Sequence, residues 1–443
     1  MRAEPQSSVQ HCLQRIREGS LESEVLVSGC LDRIEETDGE YQAWSYLDRD
    51  HALAQAQKSD DQRRRGKPLG DLHGIPVGVK DIFDTSDMPT ERGSEIYRGR
   101  VTDDDAAVVE KLREAGAVVL GKTVTTELAW MHPAATCNPV NPQFTPGGSS
   151  SGSAVAVALG QVPLAIGSQT GGSVIRPAAY CGVCGVKPSR GIISRRGALH
   201  TSSTLDQVGV FAANPGDAAL LIDALGGFDR ADSMSYLAPR PRCAEGFHAE
   251  VPIEPNFAWI EMPYSDRYSD AVREGSLELI EALGIRVERI PAPASFAVLI
   301  EAHKVIYDYE IYRALATERK HAELISETFK SNMARAADRS EAQYKEAVEI
   351  HDAAVQWFAE FFNDFDAILT PSAPAEPPRL EQGTGDAICC VIWTLCGLPC
   401  ISLPLLEGKD KLPIGVQLVG AYNEDDRLFR TSRWLLDYLS ESD

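Results

Sequence analysis

Residues 167–177 read Gly167-Ser-Gln-Thr-Gly-Gly-Ser-Val-Ile-Arg-Pro177, and the role given to this stretch decides the architecture around it. Small polar residues lead to one serine, Ser173, and Arg176 follows shortly after. The apolar run Val162–Ile166 just before it reads as a buried strand, and Ala154–Leu159 as a buried helix. A flexible Gly/Ser linker would not be set against an apolar helix and strand. The stretch therefore sits at the end of a core strand.

Working outward, a β-α-β rhythm emerges. Ser20–Glu35 carries apolar residues at helical spacing, and His51–Lys58 is an alanine-rich helix. The charged residues 60–67 read as a surface loop. Ile75–Val79 is a short strand running into Lys80, Asp103–Ala115 an amphipathic helix, and Ala117–Leu120 another strand. Residues 133–153, rich in Pro, Asn, Gly and Ser, form a long irregular segment. Beyond residue 217 longer helices are expected at Tyr268–Leu283, Ser295–Thr317 and Ser340–Phe362, with strands at Phe257–Ile260 and Ile285–Glu288. Ala367–Thr370 and Ile414–Val419 read as returning strands. Strands at both ends of the chain predict an α/β fold: one large mixed sheet with helices on both faces.

Composition narrows the function. The chain has 443 residues and a net charge of −22, which argues against a nucleic-acid partner and against an anionic membrane surface. No apolar run approaches the roughly 20 residues that span a bilayer, and the first residues lack a signal-peptide core. A cytoplasmic location is expected. The 10 cysteines are too few in so long a chain for a disulfide framework. Cys181-x-x-Cys184 has no second pair to complete a zinc site, and Cys389, Cys390, Cys396 and Cys400 read as small buried residues. No metal and no cofactor is expected.

Between Glu127 and Asp206 there is no acidic residue, although 65 are spread over the chain. The same window keeps Arg176, Lys187, Arg190, Arg195 and Arg196. Burial at the heart of the sheet accounts for part of the missing acids. A site built to hold negative charge accounts for the retained cations, and the two readings are compatible.

Several chemistries compete for the serines. Gly148-Ser-Ser-Ser-Gly152 fits the pattern G-x-S-x-G around Ser150, but loop precedes it where a nucleophile elbow needs a strand. Gly74–Lys80 has glycines and a lysine but not the phosphate-loop spacing. A serine nucleophile served by a lysine base remains. Lysine can act so only when desolvation or neighbouring positive charge lowers its pKa, and Lys80 ends an apolar strand.

These residues resemble the amidase signature family. The resemblance is carried by Leu72-His-Gly-Ile-Pro-Val-Gly-Val-Lys-Asp81, Pro146-Gly-Gly-Ser-Ser-Ser-Gly-Ser153 and Gly171-Gly-Ser173. Cys181-Gly-Val-Cys-Gly-Val-Lys-Pro188, Asp206-Gln-Val-Gly, Gly397–Pro404 and Leu412–Gly420 extend it over nearly the whole chain. It implies a single domain over 1–443 with a catalytic core at 65–215 and a more variable, helix-rich part at 225–365 that completes the substrate pocket. It implies a catalytic triad of Ser173 as acylated nucleophile, Ser149 as bridging serine after a cis peptide, and Lys80 as base. Ser150 is implied as support, and the amides of Thr170, Gly171, Gly172 and Ser173 as the oxyanion hole.

Two departures stand out. The family usually has an acid where Gln169 stands, and its arginine usually lies one residue nearer the nucleophile than Arg176. Arg176 either packs structurally against a carboxylate from outside the window or clamps a substrate carboxylate. The variant looks like malonamidase-type members. The expected activity is hydrolysis of a small amide, such as a malonamate-like one, with a homodimer left open. The alternatives are an A-type subunit of a tRNA-dependent amidotransferase and a non-catalytic binding protein on the same fold. Tyr307, Tyr309 and Tyr312 read as core packing rather than ligand contacts.

Overall fold

The structure is a computed structural model that describes residues 8–442, so the N-terminal stretch 1–7 read above lies outside it. Among the described residues the strands are β1 (Trp44–Leu47), β2 (Pro76–Lys80), β3 (Val118–Thr123), β4 (Leu164–Gln169), β5 (Cys184–Lys187), β6 (Gln207–Ala212), β7 (Phe257–Glu261), β8 (Val287–Pro291), β9 (Ala367–Pro371), β10 (Cys400–Glu407) and β11 (Pro413–Val419). They form one sheet in the order β1-β3-β2-β4-β6-β5-β10-β11-β9-β7-β8. Two parallel blocks, β3-β2-β4 and β8-β7-β9, flank an antiparallel middle. This is the expected mixed sheet, closed by strands from both ends of the chain.

Successive strand side chains point to opposite faces. Val77, Val79, Val119, Leu164, Ile166, Val208 and Val210 accordingly enter one continuous core under helices Val9–Glu18, Ala107–Glu114, Pro215–Leu225 and Asp425–Ser442. The opposite face is divided. Val118, Leu120, Ala165 and Phe211 pack with helices Ser23–Tyr41, Arg49–Arg64 and Ser151–Ala158. Ala258, Ile260, Ile368 and Cys400 pack with Phe296–Ala314, Glu341–Phe361 and Val391–Leu395. The short helix Ile175–Cys181 joins the two halves, placing Ile175 in one cluster and Ala178 and Cys181 in the other.

The charged surface loop expected at 60–67 is corrected. The helix continues to Arg64, and Asp60 is buried, accepting the amides of Ser23 (2.8 Å) and Glu24 (3.0 Å). Its carboxylate serves the otherwise unpartnered first amides of the preceding helix, which explains an acid on an inward face. No helix among the described residues is long and apolar enough to cross a membrane.

Candidate active site

β2 and β4 are parallel neighbours, with Val79 opposite Ile166, so Lys80 and Ser168 emerge at the same end of the sheet. Lys80 Nζ donates to Ser149 Oγ at 2.7 Å and to Ser168 Oγ at 2.9 Å. Lys80 is completely buried, and desolvation lowers its pKa to about 7, with the Asp206 carboxylate the opposing influence. A lysine in this state can exchange a proton near neutrality. Asp81 faces a different environment, as strand alternation requires, with Lys122 Nζ 3.5 Å from its carboxylate.

The irregular segment ahead of helix Ser151–Ala158 supplies Ser149, and the Gly148–Ser149 peptide is cis. Gly147 has φ 82°, and a side chain there would press on Pro177 at 3.0 Å, so glycine is needed for the loop to lie against the helix carrying Arg176. Ser150 Oγ accepts the Ser168 amide at 3.2 Å and lies 3.3 Å from Ser168 O. Ser150 is thus tied to the end of β4 beside Ser168.

Ser173 is half-buried in the turn that opens helix Ile175–Cys181. The structure brings Lys80, Ser149 and Ser168 into contact, and no hydrogen bond joins the Ser173 hydroxyl to them. The peptide planes leading to Ser173 are fixed from behind. Thr170 O meets His303 Nε2 at 2.9 Å, Gly171 O accepts Thr394 Oγ1 at 2.7 Å, and Gly172 O accepts the Arg176 amide at 3.0 Å. In a trans peptide the N–H points opposite to the C=O. Each N–H therefore points away from the partner of its own carbonyl, and the amides of Gly171, Gly172 and Ser173 make no backbone hydrogen bond among the described residues. A side chain on Gly172 would meet Ala387 and Cys390 at 3.0–3.2 Å, whereas one on Gly171 would meet nothing closer than 3.8 Å.

Gln169 is fully buried at the end of β4, where its carbonyl accepts the amides of Val174 (2.9 Å) and Ile175 (3.0 Å). Arg176 is buried too. Its Nη1 donates to Gly385 O at 2.8 Å, and its Nη2 to Gly148 O at 2.7 Å and Thr384 Oγ1 at 3.3 Å. No carboxylate among the described residues pairs with it, so the partner expected from outside the window is a set of carbonyls instead. The other cations of the acid-free window are also engaged. Arg195 pairs with Asp232 and Arg196 with Glu110 and Asp229, while Lys187 and Arg190 are held by carbonyls and neutral side chains.

Sequence reasoning missed four participants. Asp206 accepts Thr170 Oγ1 at 2.5 Å, the Thr201 amide at 2.7 Å and the Ser202 amide at 2.9 Å. Ser168 stood inside the opening stretch unremarked. His303 and Thr394 come from distant helices and carry no local signal. A cavity of about 590 Å³, walled by Arg196, Arg313, Tyr309, Tyr344 and others, shares Arg195 and His200 with a narrow crevice that reaches Ser168, Thr170 and Asp206. Tyr309 stacks on Tyr344 with the Arg313 guanidinium 3.3 Å from its ring centre, and Tyr307 lies against His303 and Trp130, so the tyrosine stripe is not simply core. Among the described residues no cluster of His, Cys, Asp and Glu could hold a metal ion.

A family model described as Amidase matches residues 25–429. The chain belongs to the amidase family. This amidase is 32% identical over 453 residues to the A-type subunit of the glutamyl-tRNA(Gln) amidotransferase of Alkaliphilus metalliredigens (strain QYMF), covering 92% of this chain and 91% of the relative. Among solved structures it is similar to a chain from a vestigial protein complex bearing on the origins of an s-triazine catabolic enzyme (TM-score 0.91, 26% identity, 97% and 98% coverage). It is also similar to the A-type subunit of the glutamyl-tRNA(Gln) amidotransferase of Thermotoga maritima (TM-score 0.78, 30% identity, 96% and 93% coverage).

Proposed function

We propose that this amidase cleaves a carbon–nitrogen bond through an acyl-enzyme on Ser173. Neutral Lys80 takes the proton of Ser149, which takes that of Ser173 as its Oγ attacks the amide carbon. The amides of Thr170, Gly171, Gly172 and Ser173 receive the developing oxyanion. Collapse expels the nitrogen, which collects the proton returned through Ser149, and water then releases the acid. The observation that carries this reading is the buried Lys80, its pKa lowered to about 7, at 2.7 Å from Ser149.

The similarity to A-type amidotransferase subunits favours glutamine as the amide, with the released ammonia passed to a partner-borne reaction, over a free-standing malonamate-type hydrolase. A charge of −22 still speaks against direct contact between this chain and nucleic acid; a tRNA substrate would be held by partner proteins. The bonds of Arg176 to Gly385 O and Gly148 O support a positioning role rather than a substrate clamp. The test is a panel of glutamine, carboxylate-bearing amides and neutral analogues, assayed on the chain alone and with any co-purifying partner. Glutaminase activity that rises with the partner is expected, and Arg176→Ala should depress all substrates alike. Robust turnover of malonamate by the isolated chain, lost selectively in Arg176→Ala, would reverse both assignments.

A further inference from the structure

The two amides that donate to Gln169 Oε1 fix the orientation of its side chain, so its Nε2 must face Thr394, and it donates to Thr394 Oγ1 at 2.9 Å. Thr394 is fully buried and has one hydroxyl proton to give. Since Gln169 fills one of its lone pairs, that proton goes outward to a carbonyl: Gly171 O at 2.7 Å, with Cys390 O at 3.0 Å as the other acceptor. Gly171 O lies in the same peptide plane as the Gly172 N–H. The direction of one hydroxyl proton thus fixes the plane that aims an amide at the reacting carbonyl.

The geometry points to Gln169 as a positioning residue: its amide N–H sets the polarity of the Gln169–Thr394–Gly171 relay and thereby orients the Gly172 oxyanion donor. A carboxylate of the same shape could still accept the Val174 and Ile175 amides. It has no proton for Thr394, however, and as a charged acceptor it would draw the Thr394 proton to itself. Gly171 O would then lose its donor and the peptide plane its anchor. A protonated carboxylic acid reproduces the amide pattern, accepting with one oxygen and donating with the other. Replacing Gln169 with glutamate therefore makes the orientation of the hole depend on pH.

The inference rests on Ser173 being the nucleophile, and the test separates the two. A fluorophosphonate probe is reacted with the full chain, the adduct on Ser173 is quantified by mass spectrometry, and its rate is followed against pH for the native protein, Q169E, T394V and T394S. At about pH 8, Q169E should label about tenfold more slowly than native, within the loss of about a hundredfold or more that removal of a whole oxyanion donor brings. The ratio of Q169E to native should climb toward one as the pH falls and the new carboxyl is protonated. Because a carboxylate at 169 would also raise the pKa of Lys80, each rate is first corrected for the Lys80 midpoint read from that protein's own pH profile. T394V should be slow at every pH, and T394S, which keeps the hydroxyl, should stay close to native. A native rate for Q169E at about pH 8, a slow Q169E whose ratio is flat with pH, or equal rates for T394V and T394S would each overturn the relay. Absence of any adduct on Ser173 in the native chain would refute the nucleophile itself, and the relay with it.

Discussion

Under the proposed mechanism, Lys80 sets the pH response of this amidase. Burial lowers its pKa to about 7, and the Asp206 carboxylate, through its charge, keeps it from falling further. A base must be unprotonated to act, so the labelling rate of Ser173 should be half-maximal near about pH 7, level above it, and fall about tenfold per unit below. Asp206→Asn removes the charge that favours protonated Lys80 and should move that midpoint to lower pH, while slowing the reaction because Thr170 loses its anchor. A pH–rate series on both proteins measures the shift. The contact of Lys80 with Ser149 follows the expectation that the resemblance of their two short runs implied. His303 and Thr394 are not readable in the chain, since they reach the site across sequence separations of 133 and 223 residues. Nothing in the composition of their own helices distinguishes a histidine that meets a carbonyl from one that fills space.

The segment 195–206 is an element in its own right, because it carries Asp206 to the site without regular structure. Arg195 ties it down, donating to Asp232 through Nη2 (2.8 Å) and Nε (3.1 Å) and to Ser203 O at 2.9 Å. Burial alone would raise the Asp232 carboxyl. The Arg195 guanidinium and the amides of Met234 and Arg195 outweigh it and hold the pKa at about 2 instead of 3.8. A depressed carboxyl stabilises the folded state above its unfolded pKa and loses that contribution as the pH falls through the folded value. Asp232→Ala leaves a buried guanidinium unpaired and should destabilise the fold by about 3 kcal/mol near neutral pH. The difference from native in chemical denaturation should shrink between about pH 4 and about pH 2. Element by element, periodicity located the strands and long helices that present one apolar face to the core. It passed over β5 and β6, central strands buried along their whole length, and β10, whose first four residues are all buried, so none of them shows an in-out alternation to read. The helix end at Asp60 was missed for the opposite reason: its charge suggests solvent, and only the neighbouring helix explains its burial.

Across the whole molecule, all 10 cysteines lie buried and outside any disulfide, spread over helices, strands and connecting turns. Desolvation is the largest influence on the thiols of Cys181, Cys184 and Cys389 and raises their pKa values, which suppresses the reactive thiolate. The native protein should therefore show no rapid reaction with a disulfide thiol reagent, and ten equivalents should titrate in guanidinium without added reductant. Fast labelling of the native chain would reveal an opening of the core. The division of one sheet face into two helical halves has a consequence for how such a protein can change. Helix Phe296–Ala314 belongs to the part of the chain expected to vary, where His303 holds the Thr170 carbonyl and Tyr309 walls the outer cavity. If the outer cavity receives the substrate and Thr170 serves the reaction as proposed, selectivity and rate share one helix. Grafting that segment from one relative to another would not transplant substrate choice as a separable module; each exchange would also retune the speed of the chemistry, and new specificities would have to be reached through intermediates that repair both at once.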